Sequence, residues 1–258
     1  KRVLEDAGVI VPKGQHFESL DIAISKYNDW RNSKLVIKPT TTNFGLGIHI
    51  LEREFSLNQW ESSIKNAFSL STSILIEEFI EGPEYRFLVL GEEVAAVCHR
   101  VPANVMGNGN SSILELVNQK NMDPRRGLGH KTPLEKIQTS PIEEEIISEQ
   151  GYSWNSIPES GKIVYLRRNS NISTGGDSLD YTDLVHPEFK HIAVSASKAA
   201  NSKICGVDII AKSIEIHPDL QKYAILEINF NPVIYIHDFP FQGQNRRVGR
   251  KVLELLGF

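Results

Sequence analysis

The sequence predicts an α+β fold of two α/β lobes built on antiparallel strands. Short apolar runs alternate in blocks with 3.6-periodic helical patterns, which excludes an all-helical bundle and an all-β sandwich. Two strand pairs read as antiparallel neighbours, residues 84–90 with 93–99 about Gly91-Glu92, and 206–211 with 224–228 about a polar loop. Neither internal repeat nor low-complexity tract interrupts that alternation.

Residues 1–7 read as the end of a helix, with Gly8 as its stop, and 9–14 as an extended connection. Leu20, Ala23, Ile24 and Tyr27 share one face of a helix expected over 18–28. Residues 35–38 form a buried strand that stops at Pro39, which has no amide for the ladder. A glycine-containing turn, T-T-T-N-F-G-L-G, leads to the next strand. Trp60, Ile64, Ala67 and Phe68 then line a helix over 57–68, and a strand over 74–79 runs into E-E-F-I-E-G-P. After the first hairpin the chain turns polar at 104–110, and Ser111 is expected to cap a helix to 119 with Glu115 four residues on. A basic, glycine-hinged span carries Arg125, Arg126, His130, Lys131 and Lys136; it suits either a lid over an anionic substrate or a solvated connector. A short helix at 141–150, a strand at 163–167, a helix from 186 to about 201 and a C-terminal helix on Val248, Val252, Leu253, Leu255 and Leu256 complete the pattern. The expected division is a smaller lobe, 1–80, and a larger lobe, 81–258, with an insertion over about 104–160.

With 258 residues, 40% hydrophobic and 23% charged, the chain can bury a sizeable core, and a formal net charge of −4 argues against a general affinity for nucleic acid. Cys98 and Cys205 lie in apolar surroundings and read as buried thiols, in keeping with a cytoplasmic protein. No run reaches the length of a membrane span and no signal-peptide core opens the chain. A helical pattern already under way at Lys1 reads as the continuation of a preceding segment.

Chemistry concentrates in the second hairpin. Asp208 interrupts one apolar strand, while Glu227 and Asn229, two apart on the other, share a face. Three oxygen donors that converge suit Mg²⁺, which takes one or two carboxylates together with phosphate oxygens; a hairpin with a polar rim and no metal is the plain reading. Lys38 offers a point charge to a phosphate, and Thr40, Thr41, Gly45 and Gly47 form a loop whose backbone can approach anionic oxygens, although a plain hairpin has the same composition. Glu77, Glu78 and Ile80 stand where the strand leaves the smaller lobe, so backbone groups of 78–80 can meet a flat base; an edge strand with solvated acids reads equally well. Glu84 and Arg86 share a face, as a site pair or as a surface ion pair, and Arg167 and Arg168 precede a loop of hydroxyls, amides and two glycines.

Taken in order, V-I-K-P, the glycine turn, E-E-F-I-E-G-P-E-Y-R, G-V-D and E-I-N-F-N-P resemble the ATP-grasp family of carboxylate-amine ligases over nearly the whole chain. More narrowly, D-P-R-R-G-L-G-H-K-T-P-L-E-K-I, R-R-N-S-N-I-S-T-G-G-D and N-F-N-P-V-I-Y-I-H-D-F-P-F-Q-G resemble the C-terminal part of the bacterial bifunctional glutathione synthetases. Cyanophycin synthetases share the first two elements in part. The resemblance implies a fold that grips ATP between antiparallel sheets, with Lys38 and the 40–47 loop on the phosphates, Glu78 and Ile80 at adenine, Glu84 at the ribose and Glu77 among the nucleotide-binding residues. It implies Asp208, Glu227 and Asn229 as ligands of two Mg²⁺ ions, with Mn²⁺ as a substitute, and Arg167 and Arg86 as the catalytic cations. The implied reaction joins γ-glutamylcysteine to glycine; a cyanophycin-type or D-alanine–D-alanine-type ligation, or a nucleotide-binding fragment without turnover, are the alternatives. A fused N-terminal glutamate-cysteine ligase module and homodimerisation are the implied partners, a further N-terminal ATP-grasp subdomain is expected ahead of Lys1, and Asn231, Tyr235 and Gln242 are candidates for the thiol-substrate pocket.

Overall fold

The structure, a computed structural model, describes residues 1–42 and 46–258. The chain divides into two units, Ile10–Glu81 and Lys1–Val9 with Gly82–Phe258. The short first helix, α1 (Arg2–Asp6), therefore belongs with the larger unit.

In the smaller unit, β1 (Gly14–Phe17), α2 (Leu20–Ser25), α3 (Tyr27–Trp30), β2 (Leu35–Pro39), β3 (His49–Leu51), α4 (Leu57–Leu70) and β4 (Ile74–Glu78) make an antiparallel sheet in the order β1-β4-β2-β3. The apolar face of α4 (Trp60, Ile64, Ala67) packs on Leu35, Ile37, Ile74 and Ile76, so one sheet face and one helix face are dehydrated together. Ser56 and Gln59 close a capping box at the start of α4. Trp60 stacks on Phe55 with centroids 5.5 Å apart and donates Nε1–H to the Ile24 carbonyl at 3.0 Å, which seats α2. The helix expected over 18–28 is in fact two pieces, α2 ending at Ser25 and the single turn α3. Strand β1, which the extended connection at 9–14 did not predict, pairs with β4.

The larger unit holds β5 (Glu84–Leu90), β6 (Glu93–Val101), β7 (Asn104–Met106), α5 (Ile113–Lys120), β8 (Arg126–Gly127), β9 (Leu134–Glu135), α6 (Pro141–Glu149), β10 (Ile163–Tyr165), β11 (Asp177–Asp180), α7 (Pro187–Ala199), β12 (Ile204–Ala211), β13 (Tyr223–Asn229), α8 (Tyr235–Asp238) and α9 (Val248–Leu255). Its main sheet runs β11-β6-β5-β12-β13 and is antiparallel throughout. On one face, α7 covers β12, β5 and β6. The other face is split: Leu88, Leu90 and Ala96 pack against Val248 and Val252 of α9, while the opposite end carries charged side chains.

Residues 103–166 surround a core of their own, in which Val105, Ile113, Val117, Ile147 and Val164 are buried. Ser112, not Ser111, caps α5, because an i to i+3 spacing lets its hydroxyl take the Glu115 amide while the Glu115 carboxylate takes the Ser112 amide at 2.8 Å. The connection at residues 212–222 is ordered by Gln221, which accepts from the Ser213 amide and donates to the Ser213 and Ile216 carbonyls at 3.0, 2.6 and 3.0 Å. Cys98 and Cys205 are buried free thiols. Among the described residues no helix is long and apolar enough to cross a membrane.

Candidate active site

The charged end of the main sheet is built by register. Asp208 on β12 lies opposite Arg86 on β5 and Glu227 on β13; Arg86 lies opposite Cys98 on β6, and Cys98 opposite Asp180 on β11. Paired residues point to one face, so these five side chains form a transverse row across the sheet. Beside it, Glu84 lies opposite Arg100, and Asn229 opposite Gly206.

Arg86 grips Asp208 through Nε to Oδ1 and Nη2 to Oδ2, the latter at 2.7 Å. Arg100 donates Nη2 to the same Oδ2 at 2.9 Å and pairs with Glu84, whose other oxygen accepts from the Ser170 hydroxyl at 2.8 Å. Asn229 Nδ2 donates to Glu227 Oε1 at 2.9 Å and stands 3.5 Å from Asp208 Oδ2. Asp208 is 1% exposed. Burial works to raise its pKa, but Arg100 and Arg86 outweigh burial and hold the carboxyl below its ordinary value. Burial likewise pulls the Arg86 pKa down, and Asp208 overrides it, so the guanidinium is held above its ordinary value. Buried His237 is pushed down to about 3, first by burial and then by Arg86, which leaves a neutral imidazole next to the cluster.

Glu84, Asp208 and Glu227 against Arg86 and Arg100 leave one negative charge in excess, and two of the carboxylates adjoin the Asn229 side-chain amide, its nitrogen towards both. That set fits a hard divalent cation: carboxylate oxygens have lone pairs to share between guanidinium and metal, and Mg²⁺ completes its shell with water and phosphate oxygens. Among the described residues no group of three His, Cys, Asp or Glu side chains could hold a metal by itself.

In the smaller unit, Lys38 Nζ lies 2.5 Å from Glu77 Oε2, with Glu77 almost fully buried. Glu77 and Lys38 are one diagonal apart on adjacent strands, β4 and β2, and share a face. Glu78 points the other way and accepts from the Lys13 amide at 2.9 Å. Thr40 meets the Ser73 hydroxyl at 2.6 Å, and Thr41 donates to the Ser71 hydroxyl at 3.0 Å, so both threonines are tied to the start of β4. Gly47, with φ +78°, is wedged against Leu70 and Pro39, where a Cβ would lie 2.6 and 2.8 Å from their side chains. Gly45 lies outside the described residues. Ile80 is buried.

The structure does not bring Arg167 into the Asp208 cluster by any bond; its partner is Glu143 on α6, fully buried, at 2.5 Å. Arg168 is paired with Glu149. In the basic span Arg126 is buried and Arg125 is partly exposed. Arg126 is paired with Asp177, and Arg125 donates to the carbonyls of Pro240 and Phe241 at 2.7 and 2.9 Å. Lys120, Arg125 and Arg126 all lie over the Phe241 ring, 5.0 to 5.5 Å from its centroid. Asn231 and Gln242 are exposed, and Tyr235 is half-buried beside Glu135, burial leading its raised pKa. Arg100 and His237 were not singled out by the sequence. His237 carries no local signal, and Arg100 is hidden by a shift in strand register.

No family model matches the chain. It is 50% identical over 256 residues to the glutathione biosynthesis bifunctional protein of Clostridium perfringens, covering 99% of this chain and 33% of that protein. A crystal structure of a bifunctional glutathione synthetase from Pasteurella multocida superposes with a TM-score of 0.74 at 42% identity, over 99% of this chain and 35% of that one. The ATP-grasp ligase PsnB, in complex with a precursor variant, Mg and ADP, matches at a TM-score of 0.54 and 13% identity, over 99% of this chain and 55% of that one, a likeness of fold alone. The chain spans about a third of the length of the curated relatives it matches.

Proposed function

We propose, from the premise that this chain is an ATP-grasp homologue of the bifunctional glutathione biosynthesis proteins, that it ligates γ-glutamylcysteine to glycine at the expense of ATP. The observation that carries the reading is the convergence of Asp208, Glu227 and Asn229 with Arg86 on one sheet face.

In this reading the cysteinyl carboxylate of γ-glutamylcysteine attacks the γ-phosphorus of ATP, which releases ADP and forms an acyl phosphate. The glycine amine then attacks the acyl carbon, loses a proton and expels phosphate. Charge builds on phosphoryl oxygens in the first step, so cations fixed in advance lower its barrier. Arg86 supplies one, its guanidinium already oriented by Asp208; Arg167 supplies a second if its pair with Glu143 opens. Asp208, Glu227 and Asn229 hold Mg²⁺ or Mn²⁺, two ions in all with the nucleotide phosphates, and the metal when bound neutralises phosphate charge. Lys38, paired with Glu77, binds phosphate; Thr40, Thr41, Gly45 and Gly47 shape the phosphate loop; Glu78 and Ile80 serve adenine and Glu84 the ribose. Residues 104–160 act as the insertion that excludes water from the acyl phosphate. The partner is a glutamate-cysteine ligase module in the same polypeptide, with dimerisation through it, in the cytoplasm.

ADP release measured on the chain tests this. Release should need γ-glutamylcysteine and glycine together, and Asp208→Asn or Glu227→Gln should abolish it. Release with D-alanine, or with aspartate and arginine, in place of that pair would assign a different ligase. Tight binding of Mg-ATP with no turnover under any acceptor would leave a nucleotide-binding module.

A further inference from the structure

Gly206 lies within β12, between Leu88 on β5 and Asn229 on β13. A glycine inside a strand loses side-chain packing and more backbone entropy than other residues. Nothing in the backbone asks for it, since Gly206 is not among the glycines with positive φ. What asks for it is space. A Cβ at Gly206 would lie 2.7 Å from Arg86 Cδ, 3.0 Å from Nε and 3.2 Å from Nη1, and these three atoms are its nearest neighbours. Arg86 thus leans from its own row across the bare Cα of Gly206, and that tilt aligns Nε and Nη2 with the two oxygens of Asp208.

We infer that Gly206 is a positioning residue: it is the notch that seats the Arg86 guanidinium side-on against Asp208. Arg86 is 6% exposed, so the guanidinium has little room elsewhere. A methyl group at Gly206 has to be met by moving Arg86, the movable partner, because both strands are held by ladders on either side. The moved guanidinium surrenders part of its grip on Asp208, which then keeps Arg100 as its remaining cation. Arg86 Nη1 takes no part in the Asp208 pair, and it is this edge of the guanidinium that the notch fixes in place. The consequence for catalysis rests on the ligation proposed above, in which Arg86 is a catalytic cation; the seat itself does not.

A double-mutant cycle on the chain tests both levels, with Gly206→Ala, Arg86→Ala and the pair. In thermal unfolding, Gly206→Ala should lower the midpoint in the Arg86 background and have less than about half that effect in the Arg86→Ala background, since alanine lacks the Cδ and the guanidinium that the added methyl group would meet. Equal shifts in both backgrounds overturn the notch, whatever the protein catalyses. In ADP release, Gly206→Ala should lower kcat about tenfold or more with KM for ATP changed less than about threefold, the signature of a contact realised in the transition state. A rise in KM at constant kcat overturns the positioning role. Coupled unfolding in a chain that releases no ADP with any acceptor sustains the notch and overturns the ligation instead.

Discussion

Asp238 reaches the start of α9 from ten residues upstream: its Oδ1 accepts from the Val248 amide at 2.6 Å and its Oδ2 from the Gly249 amide at 3.0 Å. The residue preceding α9, Arg247, offers no side-chain cap, so the two amides depend on this remote carboxylate. Asp238→Ala should cost about 1 kcal/mol in urea unfolding, and Asp238→Asn less, because the amide keeps one acceptor. Equal stability of Asp238→Ala and the parent chain would mean that water serves those amides as well.

Asp177 is the shared anion of a buried cluster: it pairs with Lys120 at 2.6 Å and with Arg126, whose side chain is wholly buried. Removing one partner of a buried pair leaves an uncompensated charge, so Asp177→Asn should destabilise by about 3–5 kcal/mol. Chemical denaturation followed by circular dichroism measures it. A loss below about 1 kcal/mol would show that the cations escape to solvent.

Burial lowers the pKa of His99 to about 4 and leads the fall of His237 to about 3. An unfolded imidazole takes a proton near pH 6.5, so from there down to the folded values the unfolded chain binds the extra protons. Stability should therefore fall with falling pH across that window, by up to about 1.4 kcal/mol per pH unit for each ring. Asp208, held low, adds its loss only below the ordinary carboxylate range. Urea midpoints from pH 7 to pH 5 should decline, and His237→Gln should flatten the decline; an unaltered slope in that variant would exclude His237 as a source.

Lys38→Met removes the cation beside buried Glu77. We expect KM for ATP to rise about tenfold or more, as for a lost charge-assisted contact. A lower unfolding midpoint with KM unchanged would make Lys38 a structural counter-ion of Glu77.

Much of the Asp208 site was legible in the sequence because period two is robust: Glu227 and Asn229 had to share a face, and Asp208 had to sit on a neighbouring strand. Arg100 was not legible, and the reason is a single irregularity. Counted outward from the turn at Gly91-Glu92, Glu84 should face His99 and Arg86 should face Val97. The register shift between Leu88 and Val89 slides β6 by one residue, so Arg100 faces Glu84 and Cys98 faces Arg86. Arg167 shows the complementary limit: its composition suggested an anion site, and only tertiary packing supplies Glu143 as its partner. The extra strands β1 and β11 were missed because each is four residues long and polar, and pairing across long sequence distances decides them.

The three cations over Phe241 also set an order of events during synthesis. Arg125 is 115 residues ahead of the Pro240 carbonyl that it binds. A chain made from its N-terminus exposes Lys120, Arg125 and Arg126 long before the ring and carbonyls that hold them have been translated. Residues 103–166 can collapse on their own core early, and Asp177 on β11 then ties Lys120 and Arg126 to the main sheet, but Arg125 gains the Pro240 and Phe241 carbonyls, and all three cations the ring, only when that last segment arrives.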